Sequence, residues 1–179
     1  MPLLNGKRNT INDIYTLPQG QRAELIDGEI FDLAAPSATH QRISMFLSMV
    51  ISNYISSHEG DCEAFAAPYA VFLNDDEYNY VEPDISVICD PRKLDDKGCH
   101  GAPDWIIEIV SPASRRMDYM IKLFKYRSSG VREYWIVDPD KRTIRTYDFH
   151  GDDTADYKFE DKVPVAIYPD LEIMISQGC

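Results

Sequence analysis

The chain has 179 residues, a mass of 20.5 kDa, 44% hydrophobic side chains and 27% charged ones, the arithmetic of one compact soluble domain spanning 1–179. No apolar run approaches the ~20 residues of a membrane span, and the start MPLLNGKRNT has no signal-peptide core, so a cytoplasmic protein is expected. Eighteen basic against thirty acidic residues give a formal charge of -12, which counts against general polyanion binding and requires any nucleic-acid partner to be gripped locally.

In chain order, Thr10 to Leu17 is predicted as a short helix, capped by Thr10 or Asn12 and stopped by Pro18. Glu24-Leu25-Ile26 and Glu29-Ile30-Phe31 flank Asp27-Gly28, the dipeptide a two-residue hairpin needs for positive φ. Ile43, Phe46, Leu47, Val50, Ile51, Tyr54 and Ile55 then follow helical spacing, with Ser37 as N-cap, Gly60 as stop and His40 on the inward face. Ala64 to Leu73 and Val81 to Cys89 read as strands around the turn Asn74-Asp75-Asp76-Glu77, and Pro91 to Pro103 as a loop.

Trp105 to Val110 is a continuous apolar run between Pro103 and Pro112, as expected for a central strand, and Glu108 alone interrupts it. Ser114 to Ser129 is predicted as a helix with Met117, Ile121, Phe124 and Ser128 on one stripe and Gly130 after its end. Glu133 to Val137 is a further strand, and Thr143 to Phe149, Tyr157 to Phe159, Val163 to Ile167 and Leu171 to Ile175 read as short strand extensions. The four cysteines show no C-x-x-C pair, so reduced thiols without zinc or disulfides are expected.

Short turns favour antiparallel pairing of the first core strands, and a helical crossover implies parallel pairing of the last two. The predicted class is therefore α/β (α+β): a mixed sheet with core order α-β-β-β-α-β, an N-terminal hairpin and C-terminal strand extensions.

A carboxylate buried at Glu108 costs several kcal/mol unless a metal or a lysine compensates it. Asp84 opens the strand Asp84-Ile85-Ser86-Val87-Ile88 just after Pro83, and if the two strands are neighbours the two carboxylates converge. Hard oxygen donors of this kind suit Mg²⁺ or Mn²⁺. Glu108 lies about 10 Å below Ser111 along the strand. Lys122 lies about 12 Å from Ser114 along the helix, so the two are level, with Lys125 as the reserve. Two carboxylates, a divalent ion and a lysine suit phosphodiester hydrolysis.

Several stretches carry a resemblance: Glu24 to Glu29, Pro83 to Val87, Ile107 to Pro112, Asp118 with Lys122 and Tyr126 at four-residue steps, and Gly130 to Pro139. Together, over about Thr10 to Tyr147, they resemble the Uma-two family of restriction endonucleases in the PD-(D/E)XK nuclease superfamily. The resemblance implies a restriction-endonuclease-like core in which Asp84 and Glu108 bind the metal and a lysine completes the triad. The superfamily usually places that lysine two residues after the strand Glu, a position held here by Val110, whereas the Uma-two pattern carries it on the following helix, matching Lys122. His40 would assist, and Glu24 is a weaker candidate in the outer part of the site.

The implied activity is Mg²⁺-dependent DNA cleavage. Two single-metal sites are the usual route to cutting both strands, so the expected partners are DNA and a second copy of the chain. The rival reading is an inactive nuclease-fold domain that binds nucleic acid or protein. Arg115, Arg116, Lys122, Lys125, Arg127 and Arg132 give one segment a charge of +5 against -17 elsewhere, either a phosphate-positioning surface or a solvated helix face.

Overall fold

The computed structural model describes residues 8–178. A short helix α1 (Ile11–Tyr15) is closed by a capping box between Thr10 and Asp13 and leads into a hairpin, β1 (Ala23–Ile26) and β2 (Glu29–Asp32). Its turn residues Asp27 and Gly28 have φ of 51° and 82°, the left-handed values that the Asp-Gly pair accommodates. Helix α2 (Ala38–Ser57) follows, with the Ser37 side chain accepting from the His40 amide.

Strands β3 (Glu63–Ala66), β4 (Val71–Phe72), β5 (Ile85–Ile88), β6 (Leu94–Asp95), β7 (Gly98–His100) and β8 (Trp105–Ile109) come next. A π-helix over Met117–Lys122 runs into α3 (Leu123–Ser129), which Gly130 ends at φ 95°. The chain closes with β9 (Glu133–Asp138), β10 (Thr143–Asp148), β11 (Asp153–Lys158), β12 (Val163–Pro164) and β13 (Glu172–Ile173).

The main sheet has the order β11-β10-β9-β8-β5-β3. Only β8 and β9, joined by the helical crossover, are parallel; the other neighbours are antiparallel. This is the predicted mixed sheet, with the restriction-endonuclease-like arrangement of α2, β3, β5, β8, α3 and β9. On one face Ile43, Leu47 and Ile51 of α2 pack against Ile85, Val87, Trp105, Ile107 and Trp135, with the indole rings of Trp105 and Trp135 edge to face at 5.0 Å. The other face carries Ile88, Ile106, Tyr134 and Ile136 under Tyr126 of α3. Every residue of β8 is buried, as its apolar run requires.

Three expectations about strands and loops are corrected. The strand expected over Ala64 to Leu73 divides at Pro68 into β3, in the main sheet, and β4, which joins β7 in a separate three-stranded sheet. A proline has no amide to give the ladder, and the chain leaves the sheet there. The strand expected over Val81 to Cys89 shortens to Ile85–Ile88, because Val81 bridges instead to Val71. The loop expected over Pro91 to Pro103 contains the hairpin β6–β7, turned at Asp96-Lys97.

The cysteines are not all thiols: Cys62 and Cys89 form a disulfide one position beyond the Glu63–Ile88 pair, while Cys99 is free and buried. Their separation of 27 residues has no signature in sequence, since only sheet register brings them together. The bridge removes the free-thiol argument for a reducing compartment. Among the described residues no helix is long and apolar enough to cross a membrane.

Glu133, buried in β9, anchors the C-terminal segment. Its carboxylate accepts from the Trp135 indole at 2.7 Å and from the amides of Ala166 and Ile167 at 2.9 Å. Glu133→Ala leaves three donors without an acceptor at roughly 1–3 kcal/mol each, and is expected to cost at least about 3 kcal/mol in urea unfolding. A loss below 1 kcal/mol would mean that water replaces the carboxylate.

Candidate active site

The antiparallel register of β5 and β8 pairs Ile85 with Ile107, so the next step outward sets Asp84 opposite Glu108 on the same sheet face. Asp84 Oδ2 accepts from the Ile109 amide at 2.7 Å and lies 3.1 Å from His40 Nε2. His40 stands in the first turn of α2, which delivers its ring to the end of the sheet. Burial opposes charge on that ring, but the Asp84 carboxylate outweighs it and holds the imidazole above its ordinary range.

Glu108 and Lys122 are each 4% exposed and meet directly, Lys122 Nζ donating to Glu108 Oε1 at 2.9 Å. The same ammonium lies 2.8 Å from Glu24 Oε2 and 3.7 Å from Asp118 Oδ1, and Tyr126 donates its hydroxyl to Glu108 Oε1 at 2.7 Å. Glu24 is held in turn by the Glu82 amide at 3.0 Å. Lys125 does not enter this group: it reaches Asp27 in the hairpin turn at 2.6 Å. Asp84, Glu108, Lys122 and His40 are thus brought to one end of the sheet, with Glu24 beside them.

The crossover departs from the expected apolar stripe. Ile121 and Phe124 are 37% and 73% exposed, while Asp118, Lys122, Lys125 and Tyr126 are buried. The hydrophobic rule is overridden because Asp118, Lys122, Lys125 and Tyr126 each find a charged or hydrogen-bonding partner. The π turn contributes to this, since it is wider than an α turn and residues four apart drift less around its axis, aligning Asp118, Lys122 and Tyr126. Asp118 and Tyr126 had only one signal in the sequence, the four-residue spacing to Lys122.

Four carboxylates, Glu24, Asp84, Glu108 and Asp118, face one ammonium and one imidazole. Burial pushes Asp118 up to about 6, with Glu24 and Asp84 adding to the rise. Glu108 goes well above the usual carboxylate range through burial, against the opposing pull of Lys122. Burial disfavours the Lys122 ammonium, but Glu108, Glu24 and Asp118 keep it charged beyond its ordinary limit. Burial thus raises the two carboxyl groups and opposes the ammonium, whereas the surplus of acid over base favours retained protons on all three.

A hard divalent cation would relieve this surplus. Mg²⁺ takes one or two carboxylates and fills its other positions with water or phosphate, a demand that Asp84 and Glu108 meet. Their described hydrogen bonds use Oδ2 of Asp84 and Oε1 of Glu108. Among the described residues no group of three or more His, Cys, Asp and Glu side chains forms a ready-made cage.

Residues 11–174 match the model of the family Uma2, described as "Putative restriction endonuclease". The chain belongs to the Uma2 family. It is 29% identical over 140 residues to the uncharacterized protein slr1290 of Synechocystis, covering 78% of this chain and 71% of that one. A second Synechocystis protein, sll1609, also uncharacterized, is 27% identical over 135 residues, covering 74% and 75%. A crystal structure from Anabaena variabilis, described as a putative nuclease belonging to DUF820, superimposes with a TM-score of 0.75 at 25% identity, covering 93% of this chain and 95% of that one. Family and fold together place this Uma2 chain in the PD-(D/E)XK-like nuclease superfamily.

Proposed function

We propose that the chain is a Mg²⁺- or Mn²⁺-dependent DNA endonuclease that hydrolyses phosphodiester bonds, acting in the cytoplasm as a homodimer. The observation that carries this reading is the convergence of Asp84 and Glu108 across one strand pair, with the Lys122 ammonium 2.9 Å from Glu108. Asp84 and Glu108 would hold the ion, which when bound lowers the pKa of water and polarises a phosphoryl oxygen.

The chain's own groups do the rest. Tyr126 and Lys122 fix the Glu108 carboxylate, and the Ile109 amide fixes that of Asp84. Lys122 orients the attacking water and offsets charge developing on phosphate, in a buried setting where such charge counts for more than in water. His40 keeps a proton at the Asp84 end of the site.

Incubation of plasmid DNA with the protein tests this: cleavage is expected with Mg²⁺ or Mn²⁺ and none with EDTA, and no cleavage under either condition would sink it. A second reading has one observation in its favour, namely that Lys122 already neutralises part of the charge of Glu24 and Glu108. On that reading the chain is an inactive nuclease-fold domain. Calorimetry separates the two, since an inactive domain should take up no Mn²⁺ at micromolar to millimolar concentration.

A further inference from the structure

Beyond the carboxylates, the basic segment invites a search for the surface that meets DNA. Most of it is already committed: Arg115 pairs with Asp138, Lys122 with Glu108, Lys125 with Asp27, Arg127 with Asp152 and Arg132 with Asp104. Of the six cations, Arg116 alone has no carboxylate partner among the described residues. It lines an open cavity of about 740 Å³ between the start of the crossover and β10, together with Arg115, Lys141 and Arg145. Pro112 and Tyr119 supply apolar wall.

Arg145 is engaged by Asp156 through two bonds of 2.7 and 2.8 Å, whereas the Lys141 side chain, like Arg116, has no described partner. Two uncompensated cations therefore face one cavity in a protein of charge -12, where unpaired positive charge is scarce. Pro112 follows Glu108 by four residues, so the cavity rim lies within about 14 Å of the carboxylate strand. That is at most about four nucleotide steps at the 3.4 Å axial rise of duplex DNA.

We propose that this cavity is a strand-binding subsite: Arg116 and Lys141 hold a DNA phosphate while the attached sugar or base lies on Tyr119 and Pro112. The inference rests on the nuclease reading for its choice of ligand, but not on hydrolysis taking place. A pair of cations and an aromatic wall is the usual composition of a single-strand groove, with phosphate contacts supplying affinity and ring stacking tolerating any base.

The test is fluorescence anisotropy with a short fluorescein-labelled single-stranded oligonucleotide in EDTA, over a range of salt. The double variant Arg116→Ala with Lys141→Ala is expected to bind roughly tenfold more weakly or worse, since each lost contact is a charged hydrogen bond. Its plot of log affinity against log salt should flatten by about 0.7 per cation removed. Arg116→Lys with Lys141→Arg should restore both, and Arg127→Ala should change neither.

Wild-type affinity in the double variant, an equal loss in Arg127→Ala, or no binding by the wild type overturns the subsite. Plasmid cleavage keeps the two readings apart. Binding through Arg116 and Lys141 with no cleavage preserves the subsite and removes the hydrolase, whereas cleavage unchanged in the double variant does the reverse.

Discussion

Glu108→Gln is expected to lower Mg²⁺-dependent DNA cleavage by about a thousandfold while leaving the fold intact. The amide keeps the shape of the carboxylate and can still accept from Lys122 and Tyr126 through its oxygen, so packing is preserved. What disappears is one of the two negative charges that would retain the cation. Stabilisation of developing charge by a bound cation amounts to several kcal/mol, and about 4 kcal/mol corresponds to three orders of magnitude in rate. Because the amide need not be ionised in the buried site, its urea midpoint should match or exceed that of the wild type. Plasmid cleavage time courses and unfolding curves on the same preparations check both halves. Cleavage within tenfold of wild type would remove Glu108 from the reaction.

Lys122→Met has the opposite profile, with a large effect on stability. The substitution nearly conserves volume, so little of its effect comes from a cavity. It leaves Glu24, Glu108 and Asp118, all at most 4% exposed, without the ammonium that holds them together. Removing one partner of a buried ion pair costs about 3–5 kcal/mol. The cost depends on pH in a definite direction. A carboxyl group whose pKa is higher in the folded than in the unfolded protein gives stability that is lost as pH rises between the two values. Asp118 is already at about 6 and Glu108 is raised in the presence of Lys122, and without it both go higher. The deficit should therefore be greatest above pH 7 and shrink toward pH 5. Urea titrations at pH 5 and pH 8 measure it, and an equal deficit at both would show that these acids are solvated rather than buried together.

The parts of the fold legible in the sequence are those governed by local rules. Asp27-Gly28 specifies its turn, Ser37 its cap, and the spacing of Ile43, Leu47 and Ile51 the long helix. The apolar run that Glu108 alone interrupts marks the central strand, and matching distances along strand and helix favour Lys122 with Lys125 in reserve, of which the structure sets Lys122 beside Glu108. Legibility failed where a partner distant in sequence decides. Ile121 and Phe124 look like core on spacing alone, yet the buried stripe is polar, because Glu24 and Asp27 arrive from a hairpin 98 residues away to meet Lys122 and Lys125. Cys62 and Cys89 are joined by register, which no local pattern encodes. The basic segment likewise reads as one charged face, whereas long-range carboxylates neutralise five of its six cations.

The hairpin β1–β2 is a two-stranded sheet of its own, yet it contributes Glu24 to the ammonium of Lys122 and Asp27 to that of Lys125. It works as a clasp: two acidic teeth from the early part of the chain bite on two successive basic rungs of the crossover. Loosening that grip takes the Glu24 charge away from Glu108 and Asp118, which it raises, and so changes how many protons the cleft carries.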